Sequence, residues 1–384
     1  MRFALRAALM CLVVSGCAGA PGLPPATGLL DDALFAPASE PIDPQAALAP
    51  SEAMRAYVRA KLPGPDPTRD RREALLDALY RRSGLRLTYD ASRTRTASQA
   101  FDARAGNCLS LVLLTAAMAQ EMGLSVRYQA VVGAEQWDRA GALFVAIGHV
   151  NLALDEPATQ LGTLHWAARA LVVDFLPSEQ ARFLDTRVIS RDTVVAMYLN
   201  NRAVEALTQG RLDDAYWWVR ESLRVDANFT NAYITLGVVY HRKHRADLAD
   251  AVLQRVLSRE PDNTLVLTNR MLVLRDLGRA AAAQQLAERL AVLDPNPPFS
   301  LYDAGWSELR AGHYAQARHL FERELQRDPT RHEFEYATAL ACLALNDTRG
   351  AAAHLARARD LSGTGTEHDL YAAKLDHLKA WVVQ

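Results

Sequence analysis

Apolar residues recur at helical spacing over SEAMRAYVRAKL (51–62) and RDRREALLDALYRR (69–82), with Ser51 placed to cap the first of these helices. The pattern then changes. LSLVLLTAAMA (109–119) is apolar nearly all round, which predicts a helix buried inside a domain. SVRYQAVVG (125–133), LFVAIGHVNLALD (143–155) and RALVVDF (169–175) are rich in β-branched and aliphatic residues between turn-forming or charged ones, as strands of one sheet would be. Helices followed by a mainly antiparallel sheet make 51–190 an α+β domain.

From 191 onward the pattern repeats. Gly210, His244, Gly278, Gly312 and Asn346 are spaced by 34 residues, as are Ala215, Ala249, Ala283, Ala317 and Ala351, and Pro261, Pro295 and Pro329 take the same step. A small residue lets two helices approach, Gly or Asn ends the first, and Pro stops the second. The period resembles that of tetratricopeptide repeats, and Leu236-Gly237, Tyr240, Ala249 and Pro261 stand where that consensus places them. The resemblance implies five 34-residue repeats from 196 and, in 367–382, an amphipathic capping helix. Such a stack presents a concave groove for a protein or peptide partner.

The N-terminus has another logic. Arg2 and Arg6, a short apolar core and small residues form the layout of an export signal (1–16). Val14-Ser15-Gly16-Cys17 resembles the lipobox of bacterial lipoproteins, which implies lipidation at Cys17. With Ala18 next, it implies an outer-membrane anchor facing the periplasm. Residues 17–50, rich in Pro and Ala, read as a flexible linker. A net charge of -1 gives no electrostatic reason to expect nucleic acid. Of four cysteines, Cys11 falls in the signal, Cys17 at the lipid site and Cys342 in a repeat core position, so Cys108 stands alone.

Cys108 follows Gly106-Asn107 and opens the apolar helix, with Asn107 as its cap. Free N–H groups and the positive dipole end there favour a thiolate, the reactive form of a cysteine nucleophile. His149 and His165 are the histidines between 18 and 195. Strand alternation puts Val150, Leu152 and Leu154 on one face and His149 with Asn151 on the other. Asp174, inside LVVDFL, is an aspartate costly to place among aliphatic residues without a partner. Cys, His and Asp in that order fit a catalytic triad. No spaced partner makes Cys108 a zinc ligand, and no cofactor or metal is expected.

RAGNCLSLVLLTAAMAQEMGLSVRYQAV, with GHVNLAL and LVVDF after it, resembles the transglutaminase-like superfamily of papain-type fold over roughly 85–176. The resemblance implies a nucleophile at Cys108, a base at His149 and a ring-orienting carboxylate at Asp174. It ranks His165 below His149, and Asp155 is a fallback orienter. Gln99 is a candidate for the oxyanion hole and Trp137, in the loop AEQWDRAG, for the cleft wall; Arg104 reads as a surface or helix-entry charge. The aromatic that often follows the family's His is absent here, as is a Trp beside the Asp. The fold class expected is an α+β transglutaminase-like (papain-type cysteine protease) domain followed by an all-α repeat solenoid. The function expected is cysteine acyl transfer, hydrolytic rather than cross-linking. The alternatives are a non-catalytic adaptor with a vestigial triad, or an envelope amidase acting on peptidoglycan stems.

Overall fold

A computed structural model describes residues 28–62, 70–81, 84–132, 136–155, 170–175, 185–362 and 366–382. Helices α1 (Glu52–Lys61) and α2 (Arg71–Tyr80) begin on Ser51 and Asp70, whose side chains accept from the N–H groups of Met54 and Arg72. Helix α3 (Ala97–Ala103) follows a two-residue strand, β1 (Thr88–Tyr89), which pairs in parallel with β2 (Ala105–Gly106). Helix α4 (Cys108–Glu121) is buried from Leu109 through Ala119, as expected of an apolar surface that runs all round.

Four strands form the sheet against α4: β3 (Ser125–Val131), β6 (Val150–Asp155), β7 (Leu171–Val173) and β8 (Thr186–Ile189). Their order is β7-β6-β3-β8 and every pairing is antiparallel. The run 143–155 is not one strand, as its composition suggests. It divides at Gly148-His149, and β5 (Leu143–Ile147) pairs instead with β4 (Gln136–Ala140) in a separate hairpin. The reason is burial on both faces. Leu143, Phe144, Val145 and Ala146 are all buried, so this strand lies between layers rather than over one core.

What covers the hairpin is the second half of the chain. Five antiparallel helix pairs, α5 (Arg191–Thr208) with α6 (Leu212–Val225), α7 (Thr230–Arg242) with α8 (Ala246–Leu257), α9 (Thr264–Asp276) with α10 (Ala280–Leu293), α11 (Ser300–Arg310) with α12 (Tyr314–Arg327), and α13 (His332–Ala344) with α14 (Thr348–Leu361), precede a last helix, α15 (Thr366–Val382). Each pair turns through a left-handed residue at the 34-residue position: Gly210, His244, Gly278, Gly312 and Asn346, with φ between +59° and +84°. Asn269 of α9 takes the backbone of β5 at both ends, accepting from the Phe144 N–H (2.8 Å) and donating to the Phe144 carbonyl (2.7 Å). Arg139 of β4 bonds Asp303 at 2.5 Å and stacks over Phe144, Phe299 and Tyr302, while Arg331 bonds the Trp137 carbonyl and Asp138. Trp137 therefore lies on a strand packed against the repeats, not in a loop.

Residues 28–50 also depart from expectation. Instead of a free spacer they form a strap on the first two helix pairs. The Phe35 ring lies flat on Tyr216, centroids 3.8 Å apart, with the Lys243 ammonium 5.0 Å from its centre. Asp32 accepts from the Tyr216 hydroxyl (2.6 Å) and Arg220 (2.9 Å). Ser39 donates twice to Asp214, and Glu40 accepts from Arg202 and Trp218. An acidic, aromatic segment meets a basic, aromatic surface, and that complementarity overrides the low intrinsic order of a Pro- and Ala-rich stretch.

Candidate active site

Asn107 caps α4 through its carbonyl oxygen, which accepts from the Ser110 N–H (2.9 Å) and the Ser110 hydroxyl (2.8 Å). The cap is itself held, because the Asn107 amide donates to the Thr94 hydroxyl at 2.8 Å. Gly106 leaves no room for a side chain: a Cβ there would lie 2.6 Å from the Ser110 Cβ. These constraints fix the first turn, on which Cys108 is a free thiol in partial contact with solvent. Capping by Asn107 takes the third N–H of the helix and leaves those of Cys108 and Leu109 without intrahelical acceptors. Cys342 differs: it is fully buried between repeats, and burial pushes its thiol up.

His149 lies in the break between β5 and β6, only 5% exposed. Its Nε2 donates to Asp174 Oδ1 at 2.8 Å, and Cys108 lies close enough to the ring to favour its charged form. Burial pulls the imidazole down, but Asp174 and Cys108 outweigh it and raise it from 6.5 to about 9. Asp174 sits just past β7 and is held at its second oxygen by Asn151, whose Nδ2 donates at 3.1 Å. An amide nitrogen can serve only an acceptor here, so Asn151 favours the ionised carboxylate. The structure thus places Cys108 beside a hydrogen-bonded series of His149, Asp174 and the buried Asn151.

The other sequence candidates are engaged elsewhere. The Gln99 carbonyl oxygen accepts from the Thr96 N–H (3.1 Å) while the Thr96 hydroxyl accepts from the Gln99 N–H (3.2 Å), a capping box on α3. Trp137 packs on Phe144 within the hairpin. Asp155 is paired with Nε and Nη2 of Arg127, at 2.6 and 2.8 Å. Arg104 is the left-handed cap of α3, and its carbonyl accepts from Thr88. His165 and Cys17 lie outside the described residues. Tyr89 was not singled out by the sequence. It is 55% exposed, opposite Gly106 in the β1–β2 pair and near Cys108. Among the described residues no three His, Cys, Asp or Glu side chains gather to hold a metal.

Comparison with known proteins names the repeats. Residues 302–365 match the tetratricopeptide repeat family. A tetratricopeptide repeat-containing protein of Pseudomonas aeruginosa is 28% identical over 200 residues, covering 51% of this chain and 32% of that protein. The chain thus spans about a third of the length of that curated relative. Among solved structures, Pseudomonas aeruginosa pilF is 20% identical, covering 48% of this chain and 84% of its own, with a TM-score of 0.32. YrrB, described as a tetratricopeptide repeat protein with an unusual peptide-binding site, is 21% identical, covering 47% and 92%, with a TM-score of 0.26. MamA is 16% identical, covering 45% and 93%, with a TM-score of 0.26. With its helix pairs and matched family model, the C-terminal half is a helical tetratricopeptide-like solenoid. Such repeats bind protein or peptide partners.

The raised imidazole makes a prediction about stability. A group whose folded value lies above its unfolded one stabilises fully below the unfolded value and loses that contribution as pH rises through the folded value. For His149 the window runs from pH 6.5 to about 9. The Tm of the wild type is expected to fall across that window, and a His149→Gln variant to lose much of this slope. Parallel Tm profiles for the two proteins would contradict the arrangement.

Proposed function

We propose that the chain is a tetratricopeptide-repeat protein whose N-terminal domain is transglutaminase-like and carries out cysteine acyl transfer. The observation that carries this reading is Cys108 beside the hydrogen-bonded series His149–Asp174–Asn151, in an otherwise apolar region. Cys108 Sγ attacks an amide carbonyl, forming a thioester as the C–N bond breaks. His149, protonated, supplies the counter-charge a thiolate needs and delivers its proton to the leaving amine. Asp174 holds the ring, and Asn151 holds Asp174. Water then attacks the thioester, with His149 as base, and releases the acid. Hydrolysis is preferred to cross-linking on the family resemblance alone.

A second reading is favoured by the comparisons, which speak for binding and not for chemistry: a non-catalytic adaptor whose repeats recruit a partner. An apolar cavity of about 500 Å³ at the C-terminal end of the solenoid, lined by Tyr336, Leu340, Leu343, Leu355, Lys374 and Leu378, offers room for a partner's side chain. Alkylation of the full-length protein with iodoacetamide across pH separates the two. Catalysis predicts modification of Cys108 at neutral pH at least about tenfold faster than an unperturbed thiol, slowed in His149→Ala. A rate no higher than that of a free thiol would leave the adaptor reading.

Export and lipid anchoring at Cys17 belong to the same proposal, supported by Arg2, Arg6 and the Val14–Cys17 tetrapeptide. Incorporation of labelled palmitate in a bacterial host, lost in Cys17→Ala, is the expected result. Equal labelling of that variant would remove the anchor.

A further inference from the structure

We infer that Glu205, in the first helix of the repeat half, is a positioning residue for Cys108; the inference rests on the catalytic reading proposed above. The series begins on α5. Arg202 donates to Glu205 Oε2 at 2.7 Å, and Glu205 Oε1 accepts from the Thr94 backbone N–H at 2.5 Å. The Thr94 hydroxyl accepts from the Asn107 amide (2.8 Å), and Asn107 Oδ1 accepts from the Ser110 N–H (2.9 Å). Cys108 is the residue between Asn107 and the rest of that first turn.

Three features make this more than an interdomain tie. An N-cap is ordinarily a local device that needs only its own side chain. Here the capping side chain is clamped through Thr94 by a carboxylate 111 residues beyond that threonine. Thr94 is 2% exposed and Arg202 5%, so water does not readily replace a lost partner in this series. The clamp is also braced from behind. Arg202 donates to Glu40 of the strap at 3.1 Å and lies over the Trp218 ring at 5.1 Å.

The mechanical consequence is direct. Losing the Glu205 carboxylate strands the Thr94 N–H and frees the Asn107 amide to turn, so the first turn of α4 shifts relative to His149, which stands on a different element. Misplacement of a nucleophile by a fraction of a bond length is costly to reactivity, whereas the fold itself is fixed by the apolar body of α4. A ligand that moved α5 or displaced the strap would be felt at Cys108 by the same route.

The test compares full-length wild type, Glu205→Ala and Glu205→Gln by two measurements: Cys108 alkylation by iodoacetamide from pH 5 to 10, and hydrogen exchange over residues 94–111. Glu205→Ala is expected to slow alkylation at neutral pH by about tenfold, to move its pH profile towards that of an unperturbed thiol, and to speed exchange at 94–111. Glu205→Gln keeps an acceptor for the Thr94 N–H and is expected to recover most of the rate. Cys342 should stay unreactive in all three, which separates a local shift from unfolding. Wild-type rate and wild-type protection in Glu205→Ala would overturn the positioning role, as would global loss of protection with Cys342 exposed. A wild-type Cys108 as slow as a free thiol would instead bring down the catalytic reading, and this inference with it.

Discussion

The solenoid packs against the chain's own N-terminal half, and the rest of the structure depends on that contact. Backbone edges and aromatic rings of the solenoid meet the strap at one end and the β4–β5 hairpin further along, and these contacts are specific rather than merely apolar. Asn269 satisfies both polar groups of Phe144 where water is absent, which makes the strand edge part of the solenoid's interior. Arg139 combines an ion pair with three ring faces. The buried apolar residues of the N-terminal half and of the first repeats accordingly merge into one cluster, from Phe35 through α4 to Phe334, while the last repeats hold two smaller clusters of their own.

This arrangement determines where the chemistry-bearing residues can sit. The α4 helix is locked by its apolar body, and its first turn emerges where a polar series can reach it. The chain changes sheets at His149, whose carbonyl still accepts from the Val131 N–H of β3. The imidazole therefore points from a break, with Asp174 and Asn151 behind it and Cys108 before it. Acyl transfer is the chemistry we propose for this arrangement, and repeats of this kind bind protein or peptide partners. Both fit one molecule if the repeats hold the domain with part of their surface and present the remainder.

Much of this was legible in the residues, for identifiable reasons. The repeat half announces itself because its constraints recur: a left-handed turn residue and a buried small residue every 34 positions cannot be hidden by local context. The α4 helix and its cap were equally plain, since both depend on neighbours in sequence. The 143–155 run misled because LFVAI is apolar on both faces, and one face is buried by helices more than a hundred residues away. The strap has no period to read, and its order comes from Tyr216, Arg220 and Lys243. Thr96-x-x-Gln99 already spelled the capping box that engages the Gln99 carbonyl oxygen. Asn151 shared a face with His149 in the strand pattern, but its partner Asp174 could not be assigned from that. Glu205 gave no signal, because its role exists only once the two halves are packed.

That packing is the claim on which the rest stands, and differential scanning calorimetry of the full-length protein tests it most directly. If the solenoid and the N-terminal domain share one core, they unfold together, in a single transition whose calorimetric and van't Hoff enthalpies agree. Two resolved transitions, one for each half, would contradict the account.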